Sequence, residues 1–392
     1  MEHKYRKKNR VICPGELGIT VIGVISTLAA LGVLLCLLLG TGETRAAAGN
    51  SAGNLQIMDR FNMVIGNAVS DSLDGVLNLR KTYWLSEDAL KAPKPDPACA
   101  GSTQNPKSLE GLVKDAQERL GIQEMLFSTD VEIFPGSEIR YYLDDTIFSI
   151  SWQQRVDYCV YSMTEVRIAH PSQFRRFLAG GEFGSGVLYT TTEMANSVNA
   201  VSAASGDYYA YRPCGVTVFN GEVCRDISGG EYMDNCFIDD QGDMHFVKRT
   251  EMLTTEQVEQ YVKDNNIRFS LSFGPILIVD GEVVMRGDYA LGEVTRNFSR
   301  AAICQQGPLH YVMAMANTAP RLTSIPTMEQ FADDLKDLGI EKAYALDGGQ
   351  TATMIANGKV FNNIDYGTER LISDIIYFAT AIPDGEKQEA EK

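Results

Sequence analysis

Histidine is scarce, with four in 392 residues. His3 lies in a basic tail, so at most three can serve a folded site, and a multi-histidine metal centre has little to draw on. Positive charge is also short. Thirty-five Lys and Arg face 51 Asp and Glu, a formal net charge of −16, which argues against nucleic-acid or anionic-lipid binding by the main body. No Cys-x-x-Cys pair is present, so zinc ribbons and thioredoxin-like motifs lack support. Gly181-Glu182-Phe183-Gly184-Ser185-Gly186 is glycine-rich, but no Lys follows at P-loop spacing. Neither Gly-x-Ser-x-Gly, nor His-Glu-x-x-His, nor the Rossmann glycine pattern occurs in the context its chemistry needs. Asp239-Asp240-Gln241-Gly242-Asp243 lacks the later carboxylate of a calcium loop and reads as a β-turn. No cofactor is expected, and the sequence leaves room for a bound divalent ion.

What is present is ordinary globular composition, 44% hydrophobic and 22% charged, which excludes a disordered chain and a multi-span membrane protein. The exception lies at the N-terminus. Lys4, Arg6, Lys7, Lys8 and Arg10 precede an uncharged run from Leu17 to Leu39. As a helix that run would span roughly 35 Å, enough for a bilayer core of about 30 Å. A basic flank before the span keeps the N-terminus cytoplasmic and the body outside. The expectation is a single-pass signal anchor in the cell membrane, with a cleavable signal peptide ending near Ala46-Ala47-Ala48 as the alternative.

Six cysteines would then lie outside: Cys99, Cys159, Cys214, Cys224, Cys236 and Cys304. An even number in an exported region permits disulfides. Cys214 and Cys224 flank Asn220-Gly221, a hairpin signal, and are expected to face each other across two strands or to be buried thiols.

Along the chain, residues 1–40 are the basic tail and anchor, and 41–130 a linker and helical stalk. In the stalk, Leu55, Met58, Phe61, Val69, Leu73 and Val76 keep helical spacing, Pro93, Pro95, Pro97 and Pro106 break the pattern, and Lys107 to Leu120 reads helical again. From residue 131 to 383 short β-type runs dominate, including 139–143, 147–152, 156–168, 244–247, 276–279, 309–316 and 342–346. Helices are expected at 254–264 and 328–338, the second capped by Thr327 and Gln330 and ended by Gly339. The fold class is α+β, one large strand-dominated domain behind an anchor and a stalk. Residues 384–392 form a charged, disordered tail.

Three segments carry candidate chemistry. In Leu346-Asp347-Gly348-Gly349-Gln350-Thr351-Ala352-Thr353-Met354 an apolar strand ends in a carboxylate, and two glycines allow a ligand close to the backbone. Its N–H groups suit a phosphate oxygen; a purely structural strand-turn-strand is the alternative. Ser205-Gly206-Asp207-Tyr208-Tyr209 offers an acid beside aromatics that suit a sugar ring, or else a turn with core tyrosines. Arg300 opens an apolar strand, and both it and Arg370 suit a phosphate or carboxylate by bidentate hydrogen bonds, or a surface ion pair.

In this order the segments resemble the phosphodiester glycosidase family. Its members read Asn-Gly-Asp/Gly followed by two aromatics, an Arg-Thr/Ala-Ala-Ile-Gly strand, Leu-Asp-Gly-Gly-Gly-Ser-Ser-Thr-Met, and a late Glu-Arg. Here they are Ser205 to Tyr209, Arg300-Ala301-Ala302-Ile303-Cys304, Leu346 to Met354, and Glu369-Arg370; Ser272-Phe273-Gly274-Pro275 also looks familial. The resemblance covers about residues 155–381. Ser205, Cys304, Gln350 and Thr351 depart from the usual Asn, Gly, Gly and Ser, and the loss of the amide at Ser205 bears most on activity.

The resemblance implies hydrolysis of sugar-1-phosphodiesters in cell-envelope or exopolysaccharide glycans. Asp347, Asp207 and Arg300 are the implied catalytic residues. Ser205, Gly206, Tyr208, Gly348, Gly349, Thr351 and Arg370 are the implied substrate-binding residues, with Glu182 as a further carboxylate. A phosphate leaves as a stable anion, so the reaction asks for cations and N–H donors more than for an acid. The alternative is a catalytically weakened relative that binds glycans or organises an envelope complex. A phosphate-linked glycan, the membrane through residues 17–39 and an envelope protein through residues 54–130 are the expected partners.

Overall fold

The computed structural model describes residues 92–381, apart from 213, 227–232, 252–253, 288, 290–297 and 320–321. The chain divides into two units, Met1–Asp74 and Gly75–Lys392, and every described residue belongs to the second. The expected anchor at 17–39, its basic flank, the stalk helix before residue 92 and the tail at 384–392 lie outside the described residues. Among the described residues no helix is long and apolar enough to cross a membrane.

The described unit is α+β and strand-dominated. A nine-stranded sheet runs in the order Ala100–Thr103, Ile139–Leu143, Ile147–Val156, Cys159–Ile168, His310–Asn317, Arg300–Gly307, Lys342–Leu346, Ile276–Val279 and Glu282–Val283. Its neighbours pair antiparallel. A five-stranded antiparallel sheet runs Lys359–Val360, Met354–Ala356, Ser202–Ser205, Asp374–Phe378 and Phe174–Leu178. A three-stranded sheet (Met244–Val247, Asn235–Ile238, Phe269–Leu271) and the hairpin of Thr217–Phe219 with Glu222–Arg225 complete the strands.

The large sheet is buried on both faces. One face meets the five-stranded sheet through Val166, Ile303, Tyr311 and Met313 against Phe174, Met354, Ile376 and Phe378, and the Phe174 and Phe378 rings stack at 4.7 Å. The other face is covered by the helices Glu110–Leu120 and Met328–Asp337, which contribute Ala116, Phe331 and Leu335. Double coverage explains why Ile147–Val156 and Cys159–Ile168 are buried along nearly their whole length instead of at alternate residues.

Local signals match their elements. Thr327 accepts from the Gln330 amide, Gln330 Oε1 accepts from the Thr327 amide, and Gly339 at φ +87 ends the helix. Asn220-Gly221, Asp280-Gly281 and Asn357-Gly358 take positive φ at both residues, as two-residue hairpin turns require. The strand Ala100–Thr103 pairs with Ile139–Leu143, so the sheet draws in residues that composition assigned to the stalk.

The expected disulfide chemistry is corrected. No disulfide joins the six described cysteines. Cys224 falls in a bulge of its hairpin, where Thr217 opposes Arg225 and Val218 opposes Val223, and Cys214 precedes the first strand. The Asn-Gly turn set the hairpin, but with Phe219 opposite Glu222 its register brings residue 217, not Cys214, level with Cys224.

Candidate active site

The site grows from one strand register. Ala301 opposes Leu346 in the antiparallel pairing of Arg300–Gly307 with Lys342–Leu346. The end of one strand therefore lies beside the start of the other, bringing Asp347 next to Ser299 and Arg300. The chain then turns sharply through Gly349–Thr351. The Gly349 amide donates to the Ser299 carbonyl at 2.8 Å. A Cβ on Gly348 would stand 2.3 Å from that same oxygen, which is why a glycine is needed there.

A cavity of about 270 Å³ opens over this turn, lined by Asp347, Gly348, Gly349, Gln350, Arg300, Arg370, Arg212 and Tyr208 among others. Asp347 is 8% exposed, and its Oδ2 is buried without a hydrogen-bond partner. Burial pushes the Asp347 carboxyl up to about 7, against the pull of a Thr351 hydrogen bond and the Arg370 and Arg212 cations. Among the described lining residues it is the one carboxylate.

Three guanidinium groups share that lining. Arg300 is buried, its Nε donates to the Pro326 carbonyl at 3.0 Å, and burial lowers it to about 10. Arg370 lies 5.3 Å from the Tyr208 ring centre and 5.1 Å from that of Tyr211. It donates to Tyr208 Oη at 3.3 Å and to Thr351 Oγ1 at 3.5 Å. Arg212 lies 4.5 Å over Phe273 and donates to the Phe273 carbonyl. Tyr208 and Tyr211 stack at 4.8 Å, so the Arg370 and Arg212 cations are held in place on aromatic faces. In the turn itself, the amides of Gly349 and Thr351 are spent on the Ser299 and Gly348 carbonyls. The expected set of N–H donors thus loses these two.

Asp207 sits behind this lining, not in it. Its Oδ2 accepts from the Ser272 amide at 2.7 Å and the Ser272 hydroxyl at 3.1 Å, and Arg176 Nη2 lies 3.6 Å away. Its own amide donates to Asp374 at 3.1 Å. Arg176 and Asp374 close this buried cluster, in which burial lifts Asp374 to about 6 against the opposing charge of Arg176. The geometry makes Asp207 a clamp on the segments that carry Tyr208 and Phe273.

The other expected residues divide. Arg300, Tyr208, Gly348, Gly349, Arg370 and Asp347 meet at the cavity, with Thr351 against Asp347 and Arg370. Ser205 is fully buried in its strand, its Oγ accepting from the Thr353 amide at 3.3 Å. Gly206 packs against Asp374, where a Cβ would stand 2.4 Å from Oδ2. Glu182 is exposed on a loop outside the cavity. Sequence reasoning passed over Arg212, Tyr366, Arg176 and Asp374. Only their residue types were legible; their placement depends on contacts between segments far apart in the chain. Among the described residues no group of three or more His, Cys, Asp or Glu is arranged to hold a metal ion.

Comparison with known proteins bears on these features. None of the curated proteins matches the chain. Among solved structures, the zebrafish N-acetylglucosamine-1-phosphodiester alpha-N-acetylglucosaminidase catalytic domain, auto-inhibited by its pro-peptide, is 17% identical at a TM-score of 0.47, over 60% of this chain and 83% of that one. A hypothetical protein from Synechocystis is 12% identical at a TM-score of 0.43, over 64% of each chain. The phosphodiester glycosidase family model matches residues 195–379, a span holding Asp347, all three cavity arginines, Asp207 and Asp374. It is this stretch of the chain that is similar to the phosphodiester glycosidase family.

Proposed function

We propose that the protein hydrolyses sugar-1-phosphodiesters, releasing the sugar from the phosphate. The carrying observation is one buried, partnerless carboxylate oxygen in a cavity shared with three guanidinium groups. Arg370, Arg212 and Arg300 match a phosphodiester anion and the further charge it gains on leaving. Asp347 is assigned as general base, because a carboxyl near 7 accepts a proton at neutral pH. In the proposed step a water oxygen attacks the anomeric carbon and its proton passes to Asp347. The carbon–oxygen bond to phosphate breaks, and its electron pair leaves with the phosphate monoester. Arg176, Asp374 and Asp207 act through position only.

The proposed setting is outside the cytoplasmic membrane, on envelope or extracellular glycans. Supporting it are the basic residues before the uncharged stretch 17–39.

The test is incubation of the full chain, in detergent, with N-acetylglucosamine-1-phosphodiesters, reading free sugar. Release by the unaltered chain, lost in Asp347→Asn, is expected. A folded chain that releases no sugar from a panel of sugar-1-phosphodiesters would overturn the reading.

A further inference from the structure

Tyr366 lines the mouth of the cavity and is 85% exposed. Its backbone takes φ 64, ψ 6, a left-handed conformation that disfavours a bulky side chain and suits glycine. The ring therefore adds almost no burial to the fold, while its Cβ carries a backbone penalty. A residue held that way against its own preference points to use by a ligand.

The loop that holds it is fastened on both sides. The Ser299 hydroxyl donates to Asp365 Oδ1 at 2.7 Å, and the Ser299 amide donates to Oδ2 at 3.4 Å. Ser299 is the residue before Arg300. On the other side, Gln350 Nε2 donates to the Thr368 carbonyl at 3.2 Å and hydroxyl at 3.3 Å. Gln350 belongs to the turn that follows Asp347. The ring is thereby referenced to the carboxylate and to an arginine at once, which a surface tyrosine on a free loop would not be.

We infer that Tyr366 is a specificity residue that stacks on a sugar ring attached to the leaving phosphate. Asp347 is deep and Tyr366 is at the opening, so a substrate with its anomeric carbon at Asp347 and its phosphate among the arginines extends past Tyr366 on the leaving-group side. The apolar face of a pyranose matches an exposed phenol ring. The inference rests on the hydrolase reading for its choice of ligand.

Calorimetry on the full chain carrying Asp347→Asn tests it, with two probes: an N-acetylglucosamine-1-phosphoryl hexoside and the matching methyl phosphodiester. Adding Tyr366→Gly, which relieves the left-handed φ, is expected to raise the hexoside Kd roughly tenfold, the order of one aromatic contact. The methyl ester Kd should stay unchanged, Tyr366→Phe should retain hexoside binding, and Tm should not fall. An unchanged hexoside Kd, an equal loss on both probes, or no hexoside binding at all would overturn the inference. Sugar release by the chain with Asp347 intact judges the hydrolase reading separately, since the calorimetry needs no turnover.

Discussion

Arg176 Nε donates to Asp374 Oδ2 at 2.8 Å, with both side chains completely buried. Asp374 in turn accepts from the Asp207 amide, and Asp207 accepts from Ser272. One ion pair thus ties the strands Phe174–Leu178 and Asp374–Phe378 to the loops behind the cavity. Arg176→Met leaves two buried carboxylates without their cation, and the expected loss is about 3–5 kcal/mol. Urea unfolding at neutral pH measures it; a loss below about 1 kcal/mol would mean that the cluster relaxes.

Asp347 should make stability fall as pH rises. Its folded carboxyl titrates near 7, above the ordinary 3.8, so between those values the folded state binds more protons than the unfolded state. The Asp347 contribution is fully favourable below about 3.8 and is lost as pH climbs through 7, by at most roughly 4 kcal/mol. Asp347→Asn is expected to raise Tm by several degrees at pH 8 and hardly at pH 4. Equal shifts at both pH values would contradict a buried, titrating carboxyl.

Activity should move the opposite way. As general base, Asp347 must be deprotonated, so kcat/KM should rise between pH 6 and 8 with an apparent pKa near 7. Arg370 pulls that value down, so Arg370→Met should lower kcat/KM and move the limb to higher pH. A limb that falls through pH 7 would assign Asp347 as an acid.

Ser205→Asn restores the usual family residue, yet Ser205 has no exposed surface and sits in the ladder between Met354–Ala356 and Asp374–Phe378. The larger amide overpacks this position, with an expected cost of about 1–3 kcal/mol and no gain in sugar release. Thermal unfolding alongside the hydrolysis assay checks both halves.

Gly348→Ala places a methyl 2.3 Å from the Ser299 carbonyl oxygen. Because that neighbour is backbone, the turn carrying Asp347 must shift. Sugar release is expected to drop at least tenfold with a measurable fall in Tm, read from initial rates and a thermal melt of the same sample.

The sequence by itself determined the strand-dominated class, the capped helix Met328–Asp337, the three tight hairpin turns and the Asp347 turn. These rest on interactions within a few residues, such as Thr327 with Gln330, or on backbone conformations that particular dipeptides favour. It also marked Arg300, Tyr208 and Arg370 through their residue types and order. Only the tertiary structure decided what each candidate faces. Asp207 looked as suitable an acid as Asp347, but Ser272 and Arg176, distant in the chain, hold its Oδ2 behind the lining. Ser205 and Glu182 went opposite ways, one into a strand ladder and one to an exposed loop. Tyr366 gave no local signal, because its placement depends on Asp365 reaching Ser299 and Gln350 reaching Thr368. Local rules fix turns and helix ends; a cavity is made where strand register brings remote segments together, and its titration and selectivity follow from burial that the order of residues does not specify.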